Sequence, residues 1–169
     1  EVTCSRDKKK KIERLAIVID IDETALSNIK LLLAAMSLPF KVGDSVPQAF
    51  FDPFKQPYDS PAIKPVLELY NMALENNVAV FFISARRGEG QEMTEKNLRA
   101  AGYTKWNKVV LLGPKDNTIT SEQFKTRSRK KIIEEGFDIV LTIGDQNSDI
   151  NGTYAGKTFL LPNPFYYTP

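Results

Sequence analysis

Three short stretches of this 169-residue chain carry side chains that can do chemistry together: Asp20-Ile21-Asp22-Glu23-Thr24, Ser84-Ala85-Arg86-Arg87 and Gly144-Asp145-Gln146-Asn147-Ser148-Asp149. Carboxylates gathered at one point repel one another and cost stability unless a cation lies among them. Oxygen-only donors, without His or Cys, suit Mg²⁺ best. Mg²⁺ in turn usually works with phosphate, which also needs positive charge and hydroxyl or N–H donors. Thr24, Ser84 and a nearby lysine can supply these. Each stretch alone is ordinary, since an isolated Asp-x-Asp is commonly a turn or helix cap and Gly-Asp a turn signal. Their shared position directly after apolar segments makes them informative.

Composition removes several alternatives. The chain has no histidine, so a Ser-His-Asp triad, a His-Cys pair and a His-based zinc site are all excluded. A general acid or base must then be a carboxyl, Lys, Tyr or Cys. Cys4 is the single cysteine, so no internal disulfide can form. The formal net charge of +2 names no partner, and the run Lys8-Lys9-Lys10-Lys11 is read as a solvated lead into the first strand. At 42% hydrophobic residues the chain is expected to fold as one domain. No apolar stretch approaches the roughly 20 residues that span a bilayer. The chain opens Glu1-Val2-Thr3 rather than with an apolar signal segment.

Residues 15–19, 78–83 and 139–143 are continuous apolar or β-branched runs, the pattern of strands buried on both faces of a parallel sheet. Shorter strands are expected at 109–112 and 158–161. Helical patterns lie between them at 62–75, at 89–101 before Gly102, and at 126–135 before Gly136. Alternating strands and helices predict an α/β domain with a mostly parallel central sheet. In such sheets ligands bind at the carboxyl ends of the strands, where the three stretches stand. Residues 25–36 read as helix, and 39–59 are rich in aromatics, Pro and Asp. Together, 25–59 form an insertion too long for a simple crossover, expected to be a small, mainly helical cap. Its aromatics (Phe40, Phe50, Phe51, Phe54, Tyr58) suit either stacking on a nucleobase or aryl ester or the cap's own core.

Asp20 through Thr24, behind Ile17-Val18-Ile19, resembles the first motif of the haloacid dehalogenase (HAD) superfamily. Phe81-Phe82-Ile83-Ser84-Ala85-Arg86 resembles its second motif, and Gly144-Asp145 through Asp149 its fourth. The segment from Lys125 to Ile132, followed by Glu135-Gly136, is similar to the lysine motif of the subfamily IIIB acid phosphatases, which include bacterial class B and class C enzymes and plant vegetative storage proteins. Asp59-Ser60-Pro61-Ala62-Ile63 also looks like theirs. The four motifs stand in the family's order across residues 15–161. The resemblance implies a three-layer Rossmann-like fold.

It also implies roles. Asp20 is expected to attack phosphorus and form an aspartyl-phosphate. Asp22 is expected to protonate the leaving oxygen and then take a proton from water, with its pKa raised by Asp20 and Asp145. Ser84 and Lys125 would hold the phosphoryl oxygens, Lys125 from a place just before its helix, where the helix dipole favours anions, and Thr24 would donate to phosphate, cap a helix, or both. Asp20, the Asp22 backbone carbonyl and Asp145 would hold Mg²⁺, with Asp149 close behind. Arg86 is expected either to touch substrate or to form a surface ion pair. The substrate would be a small phosphomonoester, with nucleotides among the candidates; no nucleic acid polymer is expected, and oligomerisation is left open. A periplasmic or secreted location is favoured by the resemblance only. The alternative is a non-catalytic storage or binding protein on the same scaffold. A phospho-acceptor receiver module ranks last, because receivers usually take the paired acids and the acceptor Asp from different strands.

Overall fold

The computed structural model describes residues 14–36, 60–116 and 118–167. The 39–59 part of the insertion with its aromatics, the lysine run and Cys4 lie outside the described residues. Five parallel strands run β1 (Arg14–Ile19), β2 (Ala79–Arg87), β3 (Lys108–Leu112), β4 (Phe137–Gly144) and β5 (Lys157–Leu160). Their order in the sheet is β3-β2-β1-β4-β5. The chain therefore winds outward from β1 through β2 to β3, then returns to place β4 on the other side of β1. The helices are α1 (Ile29–Met36), α2 (Lys64–Glu75), α3 (Gln91–Ala100), α4 (Ser121–Glu134) and the single turn α5 (Asn147–Ile150).

Alternation along each strand fills two cores. Ile17, Ile19, Val80 and Phe82 face Val66 and Tyr70 of α2 and Leu98 of α3. Ala16, Val18, Phe81 and Ile83 face Phe124 and Ile132 of α4. Residues of both parities are thus buried, which is why these strands are apolar throughout. Each fully buried Ile or Phe contributes about 1.5–3 kcal/mol. The outcome is the three-layer α/β architecture that the sequence predicted.

Three elements differ from expectation. β4 is not buried throughout: Ala16 pairs with Ile139 but Ile17 pairs with Leu141, so Val140 is an extra residue, 39% exposed. This bulge reverses the strand's alternation. Phe137 and Ile139 before it lie in the α4 core, whereas Leu141 and Ile143 after it lie in the other. Gly156 passes against the bulge at φ +64°, where an added Cβ would stand 2.3 Å from the Ile139 carbonyl oxygen. The helix expected over 25–36 begins only at Ile29, because residues 20–26 turn back on themselves: the N–H groups of Ala25 and Leu26 donate to the carbonyls of Asp20 (3.3 Å) and Ile21 (2.8 Å). α4 starts at Ser121, five residues before the expected 126, in a capping box. Thr120 Oγ1 accepts the Gln123 N–H (3.2 Å) and Gln123 Oε1 accepts the Thr120 N–H (3.1 Å).

Residues 25–27 and 61–63 lie side by side. The Ser27 N–H donates to the Pro61 carbonyl (2.9 Å) and the Ile63 N–H to the Ala25 carbonyl (3.0 Å). The buried Tyr103 hydroxyl also donates to that Ala25 carbonyl (2.9 Å), fixing this neck on the sheet beside Asp22.

Candidate active site

β1 and β4 are neighbours at the point where the winding reverses, the crevice in which open α/β sheets bind ligands. The Asp20 N–H donates to the Ile143 carbonyl at 3.0 Å, tying the two strand ends together. Asp20, Asp145 and Asp149, all buried, each place a carboxylate oxygen within 4.8 Å of the others. Lys125 Nζ donates to Asp20 Oδ1 at 2.6 Å and also to Asp149 Oδ1. Asp149 Oδ2 accepts the Gln146 N–H at 2.8 Å. A side chain at Gly144 would collide with Asp149, since an added Cβ would lie 2.2 Å from it.

Lys125 is the fifth residue of α4, not a residue ahead of it. It reaches Asp20 because α4 presents a buried face of Phe124, Lys125, Ser128, Arg129 and Ile132. Arg129, fully buried, donates to the carbonyls of Asp149 (2.5 Å) and Thr153 (3.2 Å), anchoring the turn that carries Asp149.

The Asp20 carboxyl is held well above its ordinary pKa, chiefly by burial and then by Asp149, with Lys125 opposing and Asp145 and Asp22 adding. More negative charge is packed here than one lysine offsets. Burial alone would depress the Lys125 ammonium, but Asp20 and Asp149 outweigh it and raise its pKa. Oxygen donors at this spacing, in excess of the positive charge, fit a hard divalent cation.

Asp22 sits differently. Arg86 grips its carboxylate through Nε at 2.9 Å and a terminal nitrogen at 2.6 Å, Asn28 Nδ2 donates at 2.7 Å, and Ser84 Oγ at 3.3 Å. Burial pushes the Asp22 pKa up, but the Arg86 charge and the hydrogen bonds from Arg86 and Asn28 push harder, and the net result is lowered. The expectation of a raised Asp22 is thereby corrected. Arg86 is neither exposed nor in a surface pair. β2 continues to Arg87, and its register with β3 slips between Ser84 and Arg87, so Ala85 and Arg86 leave the ladder and Arg86 turns inward, 6% exposed.

Thr24 is fully buried, and its hydroxyl donates to Asp145 Oδ1 at 3.1 Å, so it caps no helix. Glu23 adopts φ +53°, an uncommon conformation for a residue with a side chain. It is held there as its carboxylate accepts the Asn28 N–H at 2.6 Å. Ser60 Oγ donates to Asn28 Oδ1 at 2.8 Å, linking Asn28 to the returning end of the insertion. Asn28, Glu23, Gln146, Asn163 and Tyr166 are site residues that sequence reasoning did not single out. The Tyr166 carbonyl accepts from Gln146 Nε2 at 3.4 Å, and burial, then Asp22, Glu23 and Asp145, push the pKa of its hydroxyl up.

A family model described as HAD superfamily, subfamily IIIB (Acid phosphatase) matches residues 2–169. The chain belongs to this family. The subfamily IIIB chain is 37% identical over 158 residues to the stem 28 kDa glycoprotein of Glycine max, covering 89% of its own length and 59% of the relative's. To acid phosphatase 1 of Solanum lycopersicum it is 35% identical over 151 residues, covering 89% and 58%. To vegetative storage protein 1 of Arabidopsis thaliana it is 32% identical over 152 residues, covering 90% and 55%. It thus spans between 55% and 59% of the length of these plant proteins. Among solved structures, the class C acid phosphatase from Bacillus anthracis superposes with a TM-score of 0.70 at 26% identity, over 94% of this chain and 70% of that one.

Proposed function

We propose that this chain is a Mg²⁺-dependent acid phosphatase that hydrolyses small phosphomonoesters through an aspartyl-phosphate on Asp20. One observation carries it: Lys125 and the oxygens of Asp145 and Asp149 converge on Asp20 at the β1–β4 switch point. Family membership and the likeness to acid phosphatase 1 support it.

Asp20, Asp145 and the Asp22 backbone carbonyl would hold the cation, with Asp149 behind them, engaged by Lys125 and the Gln146 N–H. Bound Mg²⁺ supplies positive charge that lets a phosphate approach these carboxylates. An Asp20 oxygen attacks phosphorus, the bond from phosphorus to the leaving oxygen breaks, and Asp22 delivers a proton to that oxygen. Water then attacks the phosphoryl group while Asp22 takes its proton, releasing inorganic phosphate and restoring Asp20. Arg86 keeps Asp22 ionised, so its base form is ready in the free enzyme. The acid half needs a proton to arrive with the substrate, and a phosphomonoester below about pH 6 carries one. Lys125 and Ser84 hold the phosphoryl oxygens, with Thr24 supporting from its place on Asp145.

The test is hydrolysis of an aryl phosphate with and without EDTA, in wild type and Asp20→Asn. Turnover that ignores EDTA, or that survives in Asp20→Asn, would overturn it. The similarity to vegetative storage protein 1 favours a second reading, a storage protein with no turnover. Asp20, Asp22, Lys125 and Asp145 are all present here, so measurable Mg²⁺-dependent turnover would exclude it.

A further inference from the structure

The segment after β5 has no regular secondary structure in residues 161–167, yet it is bound into the carboxylate cluster. The Leu161 N–H donates to the Gly144 carbonyl at 2.8 Å, extending the β4–β5 register by one step. Asn163 then turns inward. Its Oδ1 accepts the N–H groups of Phe165 (2.9 Å) and Tyr166 (3.4 Å), and its Nδ2 donates to Asp145 Oδ2 at 2.7 Å. Two main-chain donors on Oδ1 fix the orientation of the amide, so the N–H₂ end must face the carboxylate. Asp145 is thereby held from two separate parts of the chain, Oδ1 by Thr24 after β1 and Oδ2 by Asn163 after β5. Gln146 Nε2 also donates to Asp145 Oδ2, and to the Tyr166 carbonyl at 3.4 Å, tightening the same link.

We propose that Asn163 is a positioning residue of the metal centre, orienting Asp145 for the cation and coupling ion binding to the order of residues 163–167. This rests on the cation site proposed above. A carboxylate ligand held by a hydrogen bond keeps its orientation without the metal, and loss of such a partner typically weakens metal binding by about 10–100-fold. Coupling of this kind is reciprocal: whatever Asn163 adds to ion affinity, the ion returns to the segment that Asn163 anchors.

The experiment titrates Mn²⁺ by electron paramagnetic resonance into the full chain as wild type, Asn163→Ala and Asp145→Asn, and measures amide exchange of Phe165 and Tyr166 with and without saturating Mn²⁺. Asn163→Ala is expected to bind Mn²⁺ about 10–100-fold more weakly. In the wild type, Mn²⁺ is expected to slow exchange of both amides by a comparable factor, a readout that needs no variant to fold. Mn²⁺ affinity of Asn163→Ala within about twofold of wild type, or amide exchange unmoved by Mn²⁺, overturns the proposal while leaving the cation site standing if Asp145→Asn loses binding. Unchanged affinity in Asp145→Asn overturns both.

Discussion

The Asp20 side and the Asp22 side of the site leave one strand end two residues apart and occupy opposite surroundings. Asp20 is packed against Asp145 and Asp149 with Lys125 as its cation, and its proton affinity is raised. Asp22 is gripped by Arg86, Asn28 and Ser84, and its proton affinity is lowered. β1 ends at Ile19, and the turn that residues 20–26 make there delivers the two carboxylates to two electrostatic regimes. The Asp20 half has an excess of negative charge that a cation relieves. The Asp22 half is neutralised from within. A single loop thereby offers the proposed nucleophile, whose surroundings carry excess negative charge, beside a carboxylate that is already neutralised.

Four measurements break or sharpen this contrast. Asp20→Asn replaces the proposed nucleophilic carboxylate with a neutral amide and is expected to lower kcat on an aryl phosphate by about 10⁴-fold or more, read by steady-state turnover. Lys125→Met leaves buried carboxylates without their cation and is expected to cost about 3–5 kcal/mol in urea unfolding with EDTA present; added Mg²⁺ should restore part of it. Arg86→Met frees Asp22 from its charged hydrogen bonds, with an expected loss of about 2–3 kcal/mol at neutral pH that Mg²⁺ should not restore. That difference in rescue tests whether the halves are independent.

The fourth measurement concerns pH and the opposite signs of the two shifts. Asp22 has a folded pKa below its unfolded value, so its contribution is present above the unfolded value and lost as pH falls through the folded one. Asp20 has a raised folded pKa, so without metal its contribution falls as pH rises from about 4 through that raised value. In Asp20→Asn the opposing contribution is gone. The unfolding free energy from urea titrations between pH 5 and pH 2 should then decline toward acid by about 1.4 kcal/mol for each unit of the Asp22 shift. Adding Arg86→Met should flatten that decline.

Much of this was legible from the sequence because buried parallel strands leave a mark that few other elements share. The runs ending at Asp20 and Asp145 placed both acids at strand ends, and parallel topology brought those ends together. α4 was read five residues short because its buried face includes Lys125, Ser128 and Arg129. A helix that spends its inward positions on site chemistry loses its apolar period, although Thr120 and Gln123 still spelled its cap. Arg86, Asn28 and Asn163 were missed or misjudged for another reason. Their partners lie 64, 6 and 18 residues away, and only the folded chain brings the groups together. The slip in β2 that turns Arg86 inward has no signature in Ser84-Ala85-Arg86-Arg87.

Val140 gives β4 a half-period phase slip, and everything toward its carboxyl end is written in the shifted phase. Removing Val140 alone would restore the regular ladder and leave the facings of Leu141 and Ile143 unchanged, whereas removing one residue between Leu141 and Gly144 would exchange the facings beyond it and carry Asp145 away from Thr24. The spacing from Leu141 to Asp145 therefore behaves like a reading frame, intolerant of single steps, with Val140 the one residue just outside it. Gly156 is its counterpart across the β4–β5 connection, the place where a side chain would strike the slip itself.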